Sequence, residues 1–147
     1  MSGEQKIVKA GFGVMIKNGD KILLGLRSGD PTKTAFREDS TWTFPGGKMH
    51  FGEGLKQGAS REVKEETDID VDDMEIVGLM NNINEHAHFV TVCFLVTKWH
   101  GELKTMEPDE ITDWKWFDID DLPENLYTPT KKFIQQYKDG VFCREDA

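Results

Sequence analysis

Three glutamates, Glu62, Glu65 and Glu66, crowd the stretch GGKMHFGEGLKQGASREVKEETDI (residues 46–69), with Glu53 and Arg61 ahead of them. Leu55, Ala59 and Val63 recur at four-residue spacing without an intervening proline, which predicts a helix over 54–67. At about 100° per residue the three glutamates fall within one arc of about 100°. Glu62 and Glu66 border the apolar stripe instead of lying opposite it. At a separation of about 6 Å and an effective dielectric near 20, each pair of charges repels by roughly 3 kcal/mol. Fully solvated helix pairs lose only about 0.2–0.5 kcal/mol. Two readings follow, a solvated acidic face or a site built around a cation. Hard divalent ions such as Mg²⁺ prefer carboxylate oxygens and commonly share them with substrate phosphates. Arg61 stands beside Glu62 and four residues before Glu65, where a forked contact could orient a carboxylate. Gly46, Gly47, Gly52 and Gly54 let the preceding backbone approach a ligand closely.

These residues must be held by a fold, and the chain of 147 residues is long enough for one domain spanning 1–147. A net charge of −9 argues against binding a nucleic acid polymer through its phosphates. Cys93 and Cys143 make no disulfide framework, which points to a reducing compartment. No leader-like N-terminal segment is seen, and no apolar run nears the ~20 residues of a membrane span. The expectation is a cytoplasmic protein that does not enter a membrane.

Strands are predicted over 6–17 and 21–27, joined by an Asn18-Gly19 turn. An exposed loop over 28–40 and a short strand over 41–44, stopped by Pro45-Gly46-Gly47, come next. Beyond the helix, strands are expected over 74–82, 89–99 and 112–117, a helical turn over 118–122 and a last helix over 130–137 behind Pro129. This order implies a mixed sheet with helices packed on it, not a βαβ series.

The stretch 47–69 resembles the Nudix box, G-x5-E-x7-R-E-U-x-E-E-x-G-U with U aliphatic. Gly47, Glu53, Arg61, Glu62, Val63, Glu65, Glu66 and Ile69 stand at its positions, and Asp68 replaces its second glycine. That glycine normally ends the helix in a left-handed conformation, which Asp tolerates better than most residues. The flanks TWTFPGGKMHFGEG, HFVTVCFLV and MEPDEITDWKWFDIDDLP extend the likeness towards the small MutT-like branch acting on nucleoside triphosphates, including oxidised ones such as 8-oxo-dGTP.

The resemblance implies an α/β/α sandwich with a mixed sheet, in which the box forms loop–helix–loop. It implies Mg²⁺-dependent hydrolysis of a nucleoside diphosphate linked to another group, with Mn²⁺ as a substitute. Glu62 and Glu66 would be the leading metal ligands, Glu65 a third, Glu53 an outer carboxylate, and the Gly46 carbonyl one more oxygen. Glu62 would also help activate the water, and Arg61 would orient the set. A further carboxylate from the loop holding Glu107, Asp109 and Glu110 is expected, either Glu110 or Glu107, set against a merely solvated loop.

For the substrate, Arg27 could reach a phosphate or make a surface ion pair, and Lys48 in the glycine loop has the better claim. His88 could touch the nucleotide. A zinc site at His86 and His88 would need further ligands that the sequence does not supply. The four tryptophans read as core, while Phe44 or a residue near Tyr127 could stack on a base. The leading expectation is release of monophosphate and pyrophosphate from a (d)NTP. An ADP-ribose or nucleotide-sugar pyrophosphatase is the alternative: many of those carry an additional N-terminal sheet used in dimerisation, whereas about six residues precede the first strand here, and the 32–40 insertion keeps that alternative open. A non-catalytic nucleotide-sensing module is a third reading, opposed by the intact Arg-Glu and Glu-Glu pairs. A homodimer is expected from the family alone.

Overall fold

The computed structural model describes residues 6–28 and 40–145. Its elements are strands β1 (Val8–Asn18), β2 (Lys21–Arg27), β3 (Trp42–Thr43) and β4 (Gly46–Lys48), helix α1 (Leu55–Thr67), strands β5 (Asp70–Ile83), β6 (His88–His100) and β7 (Ile111–Asp118), and helix α2 (Thr128–Asp139). The central order is β3-β2-β1-β6-β5, with β4 pairing β1 and β7 pairing β2. β1 and β6 run parallel while the other pairs are antiparallel, so the sheet is mixed.

Alternation along the strands builds a core on each face. Phe12, Val14 and Ile16 of β1 join Phe94 and Val96 of β6 beneath Ala59 and Val63 of α1. Met15 of β1, Ile22 and Leu24 of β2, and Cys93 and Leu95 of β6 instead meet Phe133 and Ile134 of α2. A helix on each face of the sheet makes the α/β/α sandwich. The tryptophans mostly serve it: Trp99 stacks on Trp116 at 5.5 Å, and Trp42 meets Phe117 edge-on at 4.9 Å.

The structure corrects several sequence expectations. Pro45-Gly46-Gly47 does not end the strand run, because Gly46–Lys48 pairs with Gly11–Gly13 as β4. β5 starts at Asp70, directly after α1, and follows β6 through register shifts near Asp73 and Gly78. Its acidic start is tolerated because β5 is an edge strand, and charge on an edge also discourages pairing with another chain. Residues 118–122 form a turn closed by Asp121 N–H to the Asp118 carbonyl (2.9 Å), not a helical turn. α2 begins ahead of its expected start, with Pro129 inside its first turn, where a missing N–H costs nothing. Most of the 28–40 loop, and with it most of the 32–40 insertion, lies outside the described residues.

Asp68 caps α1 in the left-handed conformation (φ 62°), donating its N–H to the Lys64 carbonyl. Lys64 and Lys104 pair with its carboxylate at 3.2 and 3.4 Å. Both pairs are solvent-exposed and therefore weak. Asp68→Gly is expected to raise the melting temperature by a few degrees at most, as relief of backbone strain outweighs the lost pairs. A substantial fall in a thermal melt would show that the ion pairs, not the backbone, hold this helix end.

Candidate active site

The short strand β4 brings α1 to the sheet. Val14 N–H donates to the Pro45 carbonyl and Met49 N–H to the Ala10 carbonyl, both at 2.9 Å. Gly46 and Lys48, opposite Gly13 and Gly11, therefore occupy the positions whose backbone polar groups face away from β1. α1 uses that outward edge. Gly46 N–H donates to Glu66 Oε1 at 2.9 Å, and the Lys48 carbonyl accepts from Arg61 Nη2 at 3.0 Å. The Gly46 carbonyl lies on the same edge as its N–H. Glycine is required at the next position too, since a Cβ on Gly47 would lie 2.5 Å from Glu62 Oε2.

Arg61 orders the carboxylates. Its Nε and Nη2 hold Glu53 in a fork at 2.8 and 2.7 Å, while Nη1 reaches Glu62 at 2.8 Å and Glu65 at 3.2 Å. His50 N–H adds a 2.7 Å bond to Glu53. The Arg61 bonds, with that backbone N–H, hold the Glu53 carboxyl down at about 2. Contact with Glu53 in turn raises the Arg61 pKa further above its ordinary value. Glu53 thus anchors Arg61, and it does not line the neighbouring cavity.

That cavity, of about 410 Å³, has an acidic end formed by Glu62, Glu65, Glu66, Glu107 and Glu110. Glu62 and Glu66 are 9% and 7% exposed, so burial dominates their titration. Burial pushes Glu62 up to about 7 against the pull of Arg61, and Glu65 and Glu107 add to the rise. Burial raises Glu66 well above the usual carboxylate range, with the Gly46 N–H opposing and Glu62, Glu107 and Glu110 adding. Glu107 is raised by burial and then by Glu110 and Glu65. Among the described residues no three His, Cys, Asp or Glu side chains form a ready-made metal cage. The donor set nevertheless fits a hard divalent ion: carboxylate oxygens with uncompensated charge, plus a backbone carbonyl edge. Such an ion completes its shell with water and phosphate oxygens.

The rest of the cavity is different in character. Phe44 is buried edge-on against Phe133, with ring centroids 4.9 Å apart. Arg27 lies 4.0 Å over the Tyr127 ring and is itself buried, unlike a surface ion-pairing side chain. Arg27, Lys48, Phe44 and Tyr127 all line the cavity. His88 does not. Its Nε2 instead bonds Asn81 Oδ1 at 2.6 Å, because alternation along β6 turns Phe89 and Thr91 towards the cavity. His86 sits in the turn before β6 with Glu85 at 3.2 Å, so the two histidines do not form a metal pair. Sequence reasoning missed Asn82 and Thr91, which are buried and line the cavity. The available signal was a polar residue on an otherwise apolar strand face.

Among the described residues no helix is long and apolar enough to cross a membrane. The family profile of the NUDIX domain matches residues 8–137. The ADP-ribose pyrophosphatase of Methanocaldococcus jannaschii is 29% identical over 125 residues, covering 84% of this chain and 69% of that protein. Nudix hydrolase 5 of Arabidopsis thaliana is 31% identical over 118 residues, covering 78% of this chain; the match spans only 37% of that protein's length. In three dimensions, a MutT NUDIX hydrolase from Burkholderia pseudomallei superposes with a TM-score of 0.81 at 29% identity, covering 89% of this chain and 98% of its own.

Proposed function

The chain belongs to the NUDIX family, and from that premise we propose that it is a single-domain pyrophosphohydrolase that converts a (d)NTP or an oxidised dNTP to monophosphate and pyrophosphate. The observation that carries this reading is one cavity with two chemistries. Buried Glu62 and Glu66 stand at its acidic end, and Phe44 and Phe133 at its apolar end. A nucleotide is amphipathic in the same sense. Its diphosphate belongs beside the carboxylates and cation, and its base beside the aromatic side chains.

Mg²⁺ held by Glu62, Glu66, Glu65 and the Gly46 carbonyl would supply charge neutralisation at the diphosphate and a more acidic bound water. The protein's own groups do the positioning. Arg61, anchored by Glu53, fixes the Glu62 and Glu65 carboxylates. Lys48 and Arg27 line the path to the phosphates, where their charge favours the anionic substrate. Glu62 would help activate the attacking water by accepting its proton. Water oxygen bonds to phosphorus, the bridging P–O bond breaks, and its electrons leave with the departing phosphate oxygen. Glu110 or Glu107, at the same acidic end, would contribute the further carboxylate. The unbridged Cys93 and Cys143 support a cytoplasmic location. Homodimerisation is a family-level expectation.

The relative named ADP-ribose pyrophosphatase supports a second reading, hydrolysis of ADP-ribose or a nucleotide sugar. One substrate panel with Mg²⁺ or Mn²⁺ separates them: common and oxidised dNTPs, ADP-ribose, and UDP- and GDP-sugars, reading monophosphate and pyrophosphate release. The expected result is preferential turnover of triphosphates with pyrophosphate as product. Preference for ADP-ribose transfers the assignment to the second reading, and flat, metal-independent rates favour a non-catalytic nucleotide-sensing module.

A further inference from the structure

Asn82 and Thr91 are among the buried polar side chains that line the cavity, beside Thr43 and Thr130 near Phe44. Asn82 of β5 is 4% exposed and Thr91 of β6 is 9% exposed, and both line the cavity. Asn82 Nδ2 donates to Thr91 Oγ1 at 3.0 Å. From α2, outside the cavity, Lys132 Nζ donates to Asn82 Oδ1 at 3.0 Å and to the Asn81 carbonyl at 3.3 Å. The orientation of this chain of bonds follows from chemistry. An ammonium group has donors and no acceptor, so the Asn82 amide must turn its oxygen to Lys132 and its nitrogen to Thr91. Thr91 must then accept, and its own hydroxyl proton is left to donate elsewhere. Among the described residues no other partner takes that proton, and Thr91 lines the cavity.

Thr91 sits opposite Gly11 across β1, and Gly11 sits opposite Lys48 across β4. Two strand spacings, about 10 Å, therefore separate it from the phosphate end, a span suited to the distance from base to diphosphate. A Cβ on Gly13 would lie 3.5 Å from the Phe133 ring and 3.8 Å from the Thr91 methyl, so this glycine faces the same part of the cavity as both.

We propose that Lys132 is a positioning residue that sets the hydrogen-bonding polarity of the cavity, so that its apolar end selects bases presenting a carbonyl oxygen over bases presenting an amine. The relay Lys132–Asn82–Thr91 ends in a hydroxyl donor with a buried, otherwise unmatched proton. A base carbonyl accepts that proton, whereas an exocyclic amine can only donate to the remaining lone pair of the hydroxyl and leaves its buried proton unpaired. The inference rests on the reading that this cavity holds a nucleotide.

The test compares kcat/KM for substrates that differ by carbonyl for amine on the same ring system: dITP against dATP, and dUTP against dCTP. The wild type is expected to prefer the carbonyl base by about tenfold, as one buried hydrogen bond gives. Lys132→Met frees the Asn82 amide to flip and is expected to collapse that ratio towards one through KM, with kcat held. Lys132→Arg, still a pure donor, is expected to restore it. If Lys132→Met does not fold, Thr91→Val against Thr91→Ser reads the same hydroxyl, with the ratio lost in the first and kept in the second. An unchanged ratio in Lys132→Met or Thr91→Val, or a wild-type preference for amines, overturns the inference while the hydrolase reading stands. No turnover of any nucleotide by the wild type overturns both.

Discussion

Glu62→Gln is expected to lower Mg²⁺-dependent turnover by about 10³-fold while leaving the fold intact, the range seen when a preorganised charge is taken from a developing transition state. Glutamine has nearly the same shape, and its amide oxygen can still accept from Arg61 Nη1, which Glu62 Oε1 now meets at 2.8 Å. What disappears is the negative charge and the ability to accept a proton from water. The side chain is buried and its carboxylate is disfavoured there, so a neutral amide removes a burden from the folded state. A melting temperature equal to or above that of the wild type is therefore expected alongside the lost activity. Glu65 provides the internal contrast, since its side chain is 47% exposed and its bonds to Arg61 are longer, at 3.2 and 3.3 Å. Glu65→Gln should cost markedly less. Unchanged turnover in Glu62→Gln would remove Glu62 from the metal site and the proton-accepting role together.

The contrast between these two glutamates was only half legible in the sequence. Helical spacing placed both in one arc and set Glu62 and Glu66 beside the apolar stripe, which is where the structure buries them. The alternation of β1, β2 and β6 and the left-handed cap at Asp68 were legible for the same reason: each depends on local geometry. Glu53 shows the limit. Its box position implied an outer metal carboxylate, but only the folded loop reveals that it accepts from His50 N–H and the Arg61 fork. β4 was hidden because Pro45-Gly46-Gly47 has the composition of a turn, while its glycines are demanded by neighbours remote in sequence, including the Glu62 carboxylate. The relay of Lys132, Asn82 and Thr91 joins three separate elements, and no periodicity within one segment encodes such a meeting.

The same buried carboxylates predict an inverted dependence of stability on pH in the absence of divalent ions. The ordinary carboxyl value for Glu62 is 4.5, and in the fold it is pushed up to about 7. Between these values the unfolded chain has released its proton while the folded chain retains it. The folded state thus binds more protons, and stability falls as pH rises through the window from 4.5 to about 7. Glu66 shifts in the same direction and adds to the fall. Glu62 alone accounts for at most about 3 kcal/mol, or roughly 5–10 °C in melting temperature between pH 5 and 8. Glu53 works oppositely: held at about 2, it contributes stability above its ordinary 4.5 that is lost as pH falls towards 2. With EDTA present, the melting temperature should therefore peak near pH 5 instead of near neutrality. Mg²⁺ binds the ionised carboxylates, so it should add little at pH 5 and most at pH 8, where no proton has to be displaced. Glu62→Gln should flatten the decline and remove most of the Mg²⁺-induced gain. A wild-type melting temperature that is level from pH 5 to 8 in EDTA would mean that Glu62 and Glu66 are hydrated and ionised in the fold. A Mg²⁺ shift independent of pH would place the ion on carboxylates outside this buried pair.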